Sequence, residues 1–201
     1  MLALVLLLGA TAIHTKTLYD DERDEYTTFG SVRLDVPFDT LTRVAGDFAH
    51  YRDWSLKGIN ADGDRDFISL LRDVRFRPRG SEGLGIFSLK FDVDLVWPFG
   101  SANNLIHFKV VRATPAPGGG VREMRVKLFG DNVMIDDFSL RLIAEPNGPG
   151  SRVRFNSRTR FDGFFDTFLS MARYKKNVEW RIVKVIKNLK AHVEGGSAPL
   201  E

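Results

Sequence analysis

Residues 86–97 alternate in polarity: Phe87, Leu89, Phe91, Val93, Leu95 and Trp97 fall on one side, Ser88, Lys90, Asp92 and Asp94 on the other. A repeat of two matches the pleat of a β-strand, whose successive side chains point to opposite faces. Such a strand has one apolar face to bury and one solvated back. The chain must therefore build a sheet that something else covers on one side.

Six runs of this kind are expected, at about 67–77, 85–97, 104–114, 121–129, 133–145 and 151–161. They are separated by turn signals: Gly80, Gly83 and Gly85; Pro98 and Gly100; the stretch 115–120; Gly130 with Asp131 and Asn132; and 146–150. Short connections favour antiparallel neighbours. An earlier strand, Phe29 to Val36, turns Val32, Leu34 and Val36 inward, and Pro37 stops it. Asp39 or Thr40 is placed to cap a helix using Leu41, Val44, Ala45 and Phe48, and Tyr51 and Trp54 mark a second short helix from about His50. The chain closes with a helix predicted from Phe164 to Val193. Its stripe is Phe168, Met171, Val178, Ile182, Val185, Leu189 and Val193, interrupted by Lys175, and Leu169, Trp180 and Ile186 flank it. At 1.5 Å per residue this helix is about 45 Å long, enough to cross a sheet. The expected fold is α+β: a curved antiparallel sheet of seven strands wrapped around a long C-terminal helix, with two short helices after the first strand.

A chain of 201 residues is most simply one domain with a sizeable core. Its 16 phenylalanines are the unusual feature. Several fall on inward faces, which read as Ile106, Phe108 and Val110; Met124, Val126 and Leu128; Phe138, Leu140 and Leu142; and Val153, Phe155 and Phe161. A packed core and a ligand cavity both fit that pattern. No cysteine is present, which excludes disulfides and thiolate chemistry. A net charge of +3 is too weak to argue for nucleic acid, and base-stacking aromatics are missing from the basic face.

The apolar run Leu2 to Leu8 and the small residues Ala10-Thr11-Ala12 read as a truncated signal or anchor, although no Lys or Arg precedes them. Residues 14–26 are polar and acidic and read as a linker completing a 1–26 leader. The globular domain is then 27–195, with a disordered tail at 196–201. A periplasmic or secreted location is expected, with the cytoplasm as the alternative.

The search for chemistry is largely negative. Asp62, Asp64, Asp66 and Asp73 are spaced somewhat like a calcium loop, but Phe67 stands at the glycine position and a strand follows, so a solvated turn is expected. His14, His50, His107 and His192 are scattered, and no nucleophile elbow or phosphate loop is present. Neither metal nor cofactor is expected. Strict alternation turns four polar residues inward: Arg72, Asp136, Ser157 and Thr159. Arg72 and Asp136 can form a structural pair, orient a ligand head group, or sit at strand ends in water. Arg152, Arg154, Arg158 and Arg160 point outward with Arg125, Lys127 and Arg141. That face suits either peripheral contact with an anionic membrane or a mixed salt-bridged surface shared with Asp92, Asp94 and Asp137.

The segment Val36-Pro37-Phe38-Asp39, running into Val44-Ala45-Gly46-Asp47-Phe48-Ala49-His50-Tyr51-Arg52-Asp53-Trp54, resembles the opening of the START-related helix-grip superfamily, SRPBCC. With the order of elements, the likeness spans about residues 28–194. It implies a pocket for lipids, sterols, polyketides or similar molecules, lined by Phe87, Leu89, Phe91, Phe108, Met124, Phe138, Phe155, Phe168 and Met171, with Trp54 near the mouth. Arg72 and Asp136 are its polar candidates. The expected function is noncatalytic binding, with transport, of a lipid or sterol-like molecule. The alternatives are a polyketide-type aromatase/cyclase using the same pocket, and an interaction module with a packed core.

Overall fold

The computed structural model describes residues 13–60, 68–80, 84–94, 100–132, 134–167 and 169–195. Leu2–Leu8, the loop of Asp62, Asp64 and Asp66, Leu95, Trp97, Phe168 and the 196–201 tail lie outside the described residues. The strands are β1 (His14–Asp20), β2 (Glu25–Leu34), β3 (Ile68–Pro78), β4 (Gly85–Asp94), β5 (Gly100–Pro115), β6 (Val121–Leu128), β7 (Ile135–Asn147) and β8 (Gly150–Phe161). After β2 come α1 (Phe38–Gly46) and, beyond the tight turn Phe48–His50, α2 (Tyr51–Trp54). After β8 come α3 (Gly163–Asp166), α4 (Met171–Tyr174), a wide π turn (Lys175–Glu179) and α5 (Trp180–Gly195). All eight strands make one antiparallel sheet in the order β1-β2-β8-β7-β6-β5-β4-β3.

The eighth strand is β1, which falls in the segment expected to be a linker. It pairs along its length with β2, from His14 opposite Ser31 to Asp20 opposite Glu25. Its one buried residue is Thr17. Hydrogen bonds, rather than apolar side chains, hold it in place, so its sequence shows no hydrophobic alternation.

The alternation holds along β8, where Val153, Phe155, Ser157, Thr159 and Phe161 are all buried. It fails on β3 and β7, because each contains a bulge. On β3 the register with β4 shifts between Leu71 and Asp73, and on β7 the register with β8 shifts between Ile135 and Asp137. A bulge inserts one residue against the partner strand and changes which positions share a face. Leu71 and Val74 both line the interior, three apart, and so do Ile135 and Phe138. The bulged residues Arg72 and Asp136 are therefore exposed, contrary to their expected inward placement. Arg72 forms a bidentate ion pair with Asp92 on β4, and Arg160 approaches Asp136 at 3.7 Å.

The C-terminal segment is not one continuous helix from Phe164. Asp162 caps α3 by accepting from Phe164 N, and Ser170 caps α4 by accepting from Arg173 N. Two side-chain acceptors thus start two separate helices. The π turn then rephases the stripe. Lys175, expected on the apolar face, is exposed, while Tyr174 and Asn177 are buried. At the other end of the domain, α1 begins at Phe38 directly after Pro37, leaving Asp39 in its first turn. There a carboxylate favours the helix dipole. α1 docks closely on the β5–β6 turn: Gly120 has φ +75, and a Cβ there would lie 2.2 Å from Thr42 O. The Thr42 hydroxyl donates to Gly119 O at 3.1 Å.

Candidate functional site: an apolar cavity beneath the helix

The inner face of the sheet and the C-terminal helix border a partly open cavity of about 300 Å³. Trp54, Phe87, Leu89, Phe91, Phe108, Met124, Phe138 and Phe155 all line it. Phe108 and Phe138 pack side by side on the sheet wall, with ring centroids 4.9 Å apart. The helix side is Val178, Ile182, Val185, Ile186 and Leu189. Met171 is not among the lining residues; it packs beside the cluster of Tyr26, Phe161 and Tyr174. Phe168 lies outside the described residues, and Arg72 and Asp136 are on the outer surface.

The polar residues of the lining are Ser55, Thr159, Asn177 and Arg181, with the aromatic Tyr51. Sequence reading found only Thr159 of these. Asn177 and Arg181 are not on the expected apolar stripe, because nothing in the residue pattern announces a π turn. Tyr51 donates its hydroxyl to Ala45 O at 2.7 Å, and burial holds its phenol well above the ordinary range. Among the described residues the lining contains no carboxylate and no imidazole, and no group of acidic, histidine or cysteine side chains there is placed to hold a metal ion.

Asn177 and Arg181 tie the helix to the start of β3. Asn177 Oδ1 accepts from Ile68 N at 3.2 Å, and Arg181 Nη2 donates to Ile68 O at 2.5 Å. Arg181 Nη1 also donates to Asn177 O at 2.6 Å, and Asn177 Nδ2 to Arg173 O at 2.8 Å. A widened turn leaves helix carbonyls in need of donors, and these side chains supply them.

The same turn is tied to β1. Thr15 Oγ1 donates to Glu179 Oε1 at 2.9 Å, and Thr17 Oγ1 to Glu179 Oε2 at 2.6 Å. Thr17 is 2.9 Å from the Thr28 hydroxyl, which is 3.0 Å from the Tyr174 hydroxyl. Each hydroxyl has one proton, and an ionised carboxylate only accepts. The direction of the chain is thereby set: Tyr174 donates to Thr28, Thr28 to Thr17, and Thr17 to Glu179. Tyr174 also stacks on Tyr26 at 4.3 Å, and burial raises both phenols, Tyr26 to about 12.

On the outer face the arginines have partners. Arg141 and Arg125 both bond Glu123, at 2.9 and 2.7 Å, and hold its carboxyl down at about 2. Arg154 pairs with Glu145, Arg158 with Glu25 at 3.8 Å, and Arg152 donates to Asn147. This is the mixed, salt-bridged surface.

No family model matches the chain, and no curated protein matches it. Solved structures do. A START superfamily protein from Mycobacterium smegmatis superposes with a TM-score of 0.56 at 15% identity, covering 85% of this chain and 99% of its own. An aromatase/cyclase from Streptomyces gives 0.51 at 12% identity, covering 90% and 94%. Norcoclaurine synthase from Thalictrum gives 0.52 at 9% identity, covering 93% and 99%. At such identities the likeness speaks for architecture, since one fold hosts many functions. One open antiparallel sheet closed over a C-terminal helix is a helix-grip fold, and the chain shares that architecture with these proteins along nearly their whole length.

Proposed function

We propose that this protein binds a hydrophobic small molecule, of the lipid or sterol-like kind in that most of its surface is hydrocarbon, and carries it without chemical change. The observation that supports this most is the cavity itself: about 300 Å³ lined by phenylalanine, leucine, isoleucine, valine and methionine side chains. That is the small end of the range for ligand pockets. Burying a few hundred Å² of ligand surface is worth several kcal/mol at about 25 cal/mol per Å², before ordering costs. Binding therefore needs no further device.

An aromatase or cyclase would have to move protons at the substrate. The candidates for that role, Arg72 and Asp136, are on the outer face, and the described lining offers no carboxylate or histidine in their place. Those facts favour carriage over catalysis. Membrane contact through the back face has less support, because its arginines are already paired with carboxylates or bonded to side chains. A periplasmic or secreted location rests on Leu2–Leu8 and Ala10-Thr11-Ala12 alone.

Native mass spectrometry after gentle purification, together with displacement of a fluorescent fatty acid, tests the reading. One ligand per chain is expected. Leu140→Trp, which places an indole in the cavity, should weaken binding at least tenfold with the melting temperature nearly unchanged. Absence of any ligand and of any displacement would overturn it.

A further inference from the structure

Five of the side chains that border the cavity carry polar atoms, yet those atoms are bonded within the protein or sealed behind the wall. Tyr51 donates its hydroxyl to Ala45 O at 2.7 Å. Asn177 accepts from Ile68 N at 3.2 Å and donates to Arg173 O at 2.8 Å, while Arg181 donates to Asn177 O at 2.6 Å and to Ile68 O at 2.5 Å. Ser55 Oγ and Thr159 Oγ1 are both buried out of reach of the space, Thr159 against the Tyr174 phenol. Among the described residues, the surface that faces the cavity is therefore almost wholly carbon.

Such a wall rejects polarity as firmly as it accepts hydrocarbon. A ligand oxygen that enters gives up water and meets no donor or acceptor in return, and an unpaired polar group in an apolar site is costly. A charged group is more costly still. The cavity is partly open, so a group that stays at the opening keeps its water. Where along the ligand its oxygen atoms stand, and not its overall hydrophobicity alone, thus decides what can enter.

Resting on the binding function proposed above, we infer that the cavity selects an amphiphile by the bareness of its inserted part: an unsubstituted hydrocarbon tail or skeleton goes in, and the polar group remains at the opening. A molecule with hydroxyls or carbonyls along the inserted length, as in a polyketide-type chain, is rejected. The same wall holds no hydrogen-bond donor, among the described residues, with which to polarise a carbonyl inside the cavity.

The test titrates the full chain by calorimetry with dodecanoate and 12-hydroxydodecanoate, which differ by one oxygen at the end of the tail. The wild type should bind dodecanoate at least about tenfold tighter, the scale on which an apolar pocket rejects an added hydroxyl. Val126→Thr and Met124→Gln, made one at a time, each put a polar group on the wall, with the melting temperature reporting that the variant folds. At least one of them should bind dodecanoate more weakly and 12-hydroxydodecanoate more tightly than the wild type, an opposite movement that a merely disturbed cavity does not give. Similar affinities of the wild type for the two probes, or a preference that neither variant narrows, would overturn the selection but leave the carrier reading standing. Failure of both probes to bind the wild type would remove both.

Discussion

The two edge strands of the sheet, β1 and β3, are held by the same stretch of the C-terminal helix in different ways. Open edges invite pairing with other chains, and a helix laid across them is one way to close them. At β1 the tie is between side chains: Thr15 and Thr17 reach the Glu179 carboxylate, and Thr28 and Tyr174 extend the chain inward. At β3 the tie is to the main chain: Asn177 and Arg181 take the N–H and C=O of Ile68. The β3 tie also borders the cavity, since Ile68, Asn177 and Arg181 line it, whereas Thr15, Thr17 and Glu179 do not. The π turn that brings Asn177, Glu179 and Arg181 to these two edges thus serves two purposes. It locks the sheet at β1 and shapes the ligand space at β3.

Breaking each tie should separate these roles. The largest effect is expected at Tyr174, where the β1 chain ends in the core against Tyr26. Tyr174→Ala should cost about 3–5 kcal/mol in urea unfolding, as for other buried aromatics, and Tyr174→Phe only about 1 kcal/mol, for the lost hydroxyl bond. Asn177→Ala at the β3 tie leaves the Ile68 N–H without its acceptor and should cost about 1–3 kcal/mol. It should also alter affinity for a cavity probe. Thr17→Val at the β1 tie should cost about 1 kcal/mol with probe affinity unchanged; a matching change in affinity would show that the two edges are coupled. The smallest effect serves as a control on the outer face. Glu123 has its pKa lowered by Arg141 and Arg125 from 4.5 to about 2. A depressed carboxylate contributes stability that is complete above its unfolded pKa and is lost as pH falls through the folded one. The stability gap between wild type and Glu123→Gln should thus be present at pH 6 and shrink between pH 4.5 and 2. Because both arginines are nearly half exposed, the gap should stay below about 1 kcal/mol.

The same contrast explains what could be read from the sequence. Regular central strands were legible: the even alternation of Val153, Phe155 and Phe161 on β8 and of Phe87 and Phe91 on β4 gave the inward face directly. So was the covering helix, from the three- and four-residue steps through Val185, Leu189 and Val193. β1 was not legible, because a strand held by threonine hydroxyls has no apolar period. Arg72 and Asp136 were misplaced because a bulge moves a residue to the other face without a fixed sequence mark. Asn177 and Arg181 were missed for the parallel reason in a helix, since a π turn puts the residues before it out of phase with the stripe that follows and widens the face beside it. The two bulges and the π turn are local insertions into a periodicity read as uniform, and all three border the cavity.

The central claim is that the aromatic face of the sheet and the helix leave apolar space between them able to accept a guest. Xenon occupies cavities of that character, so a crystal pressurised with xenon tests it most directly. Xenon should appear between Phe108, Phe138 and the Ile182 face of α5, and Leu140→Trp should abolish it. A wild-type crystal in which the α5 side chains pack directly onto the two rings and no xenon enters would contradict the account.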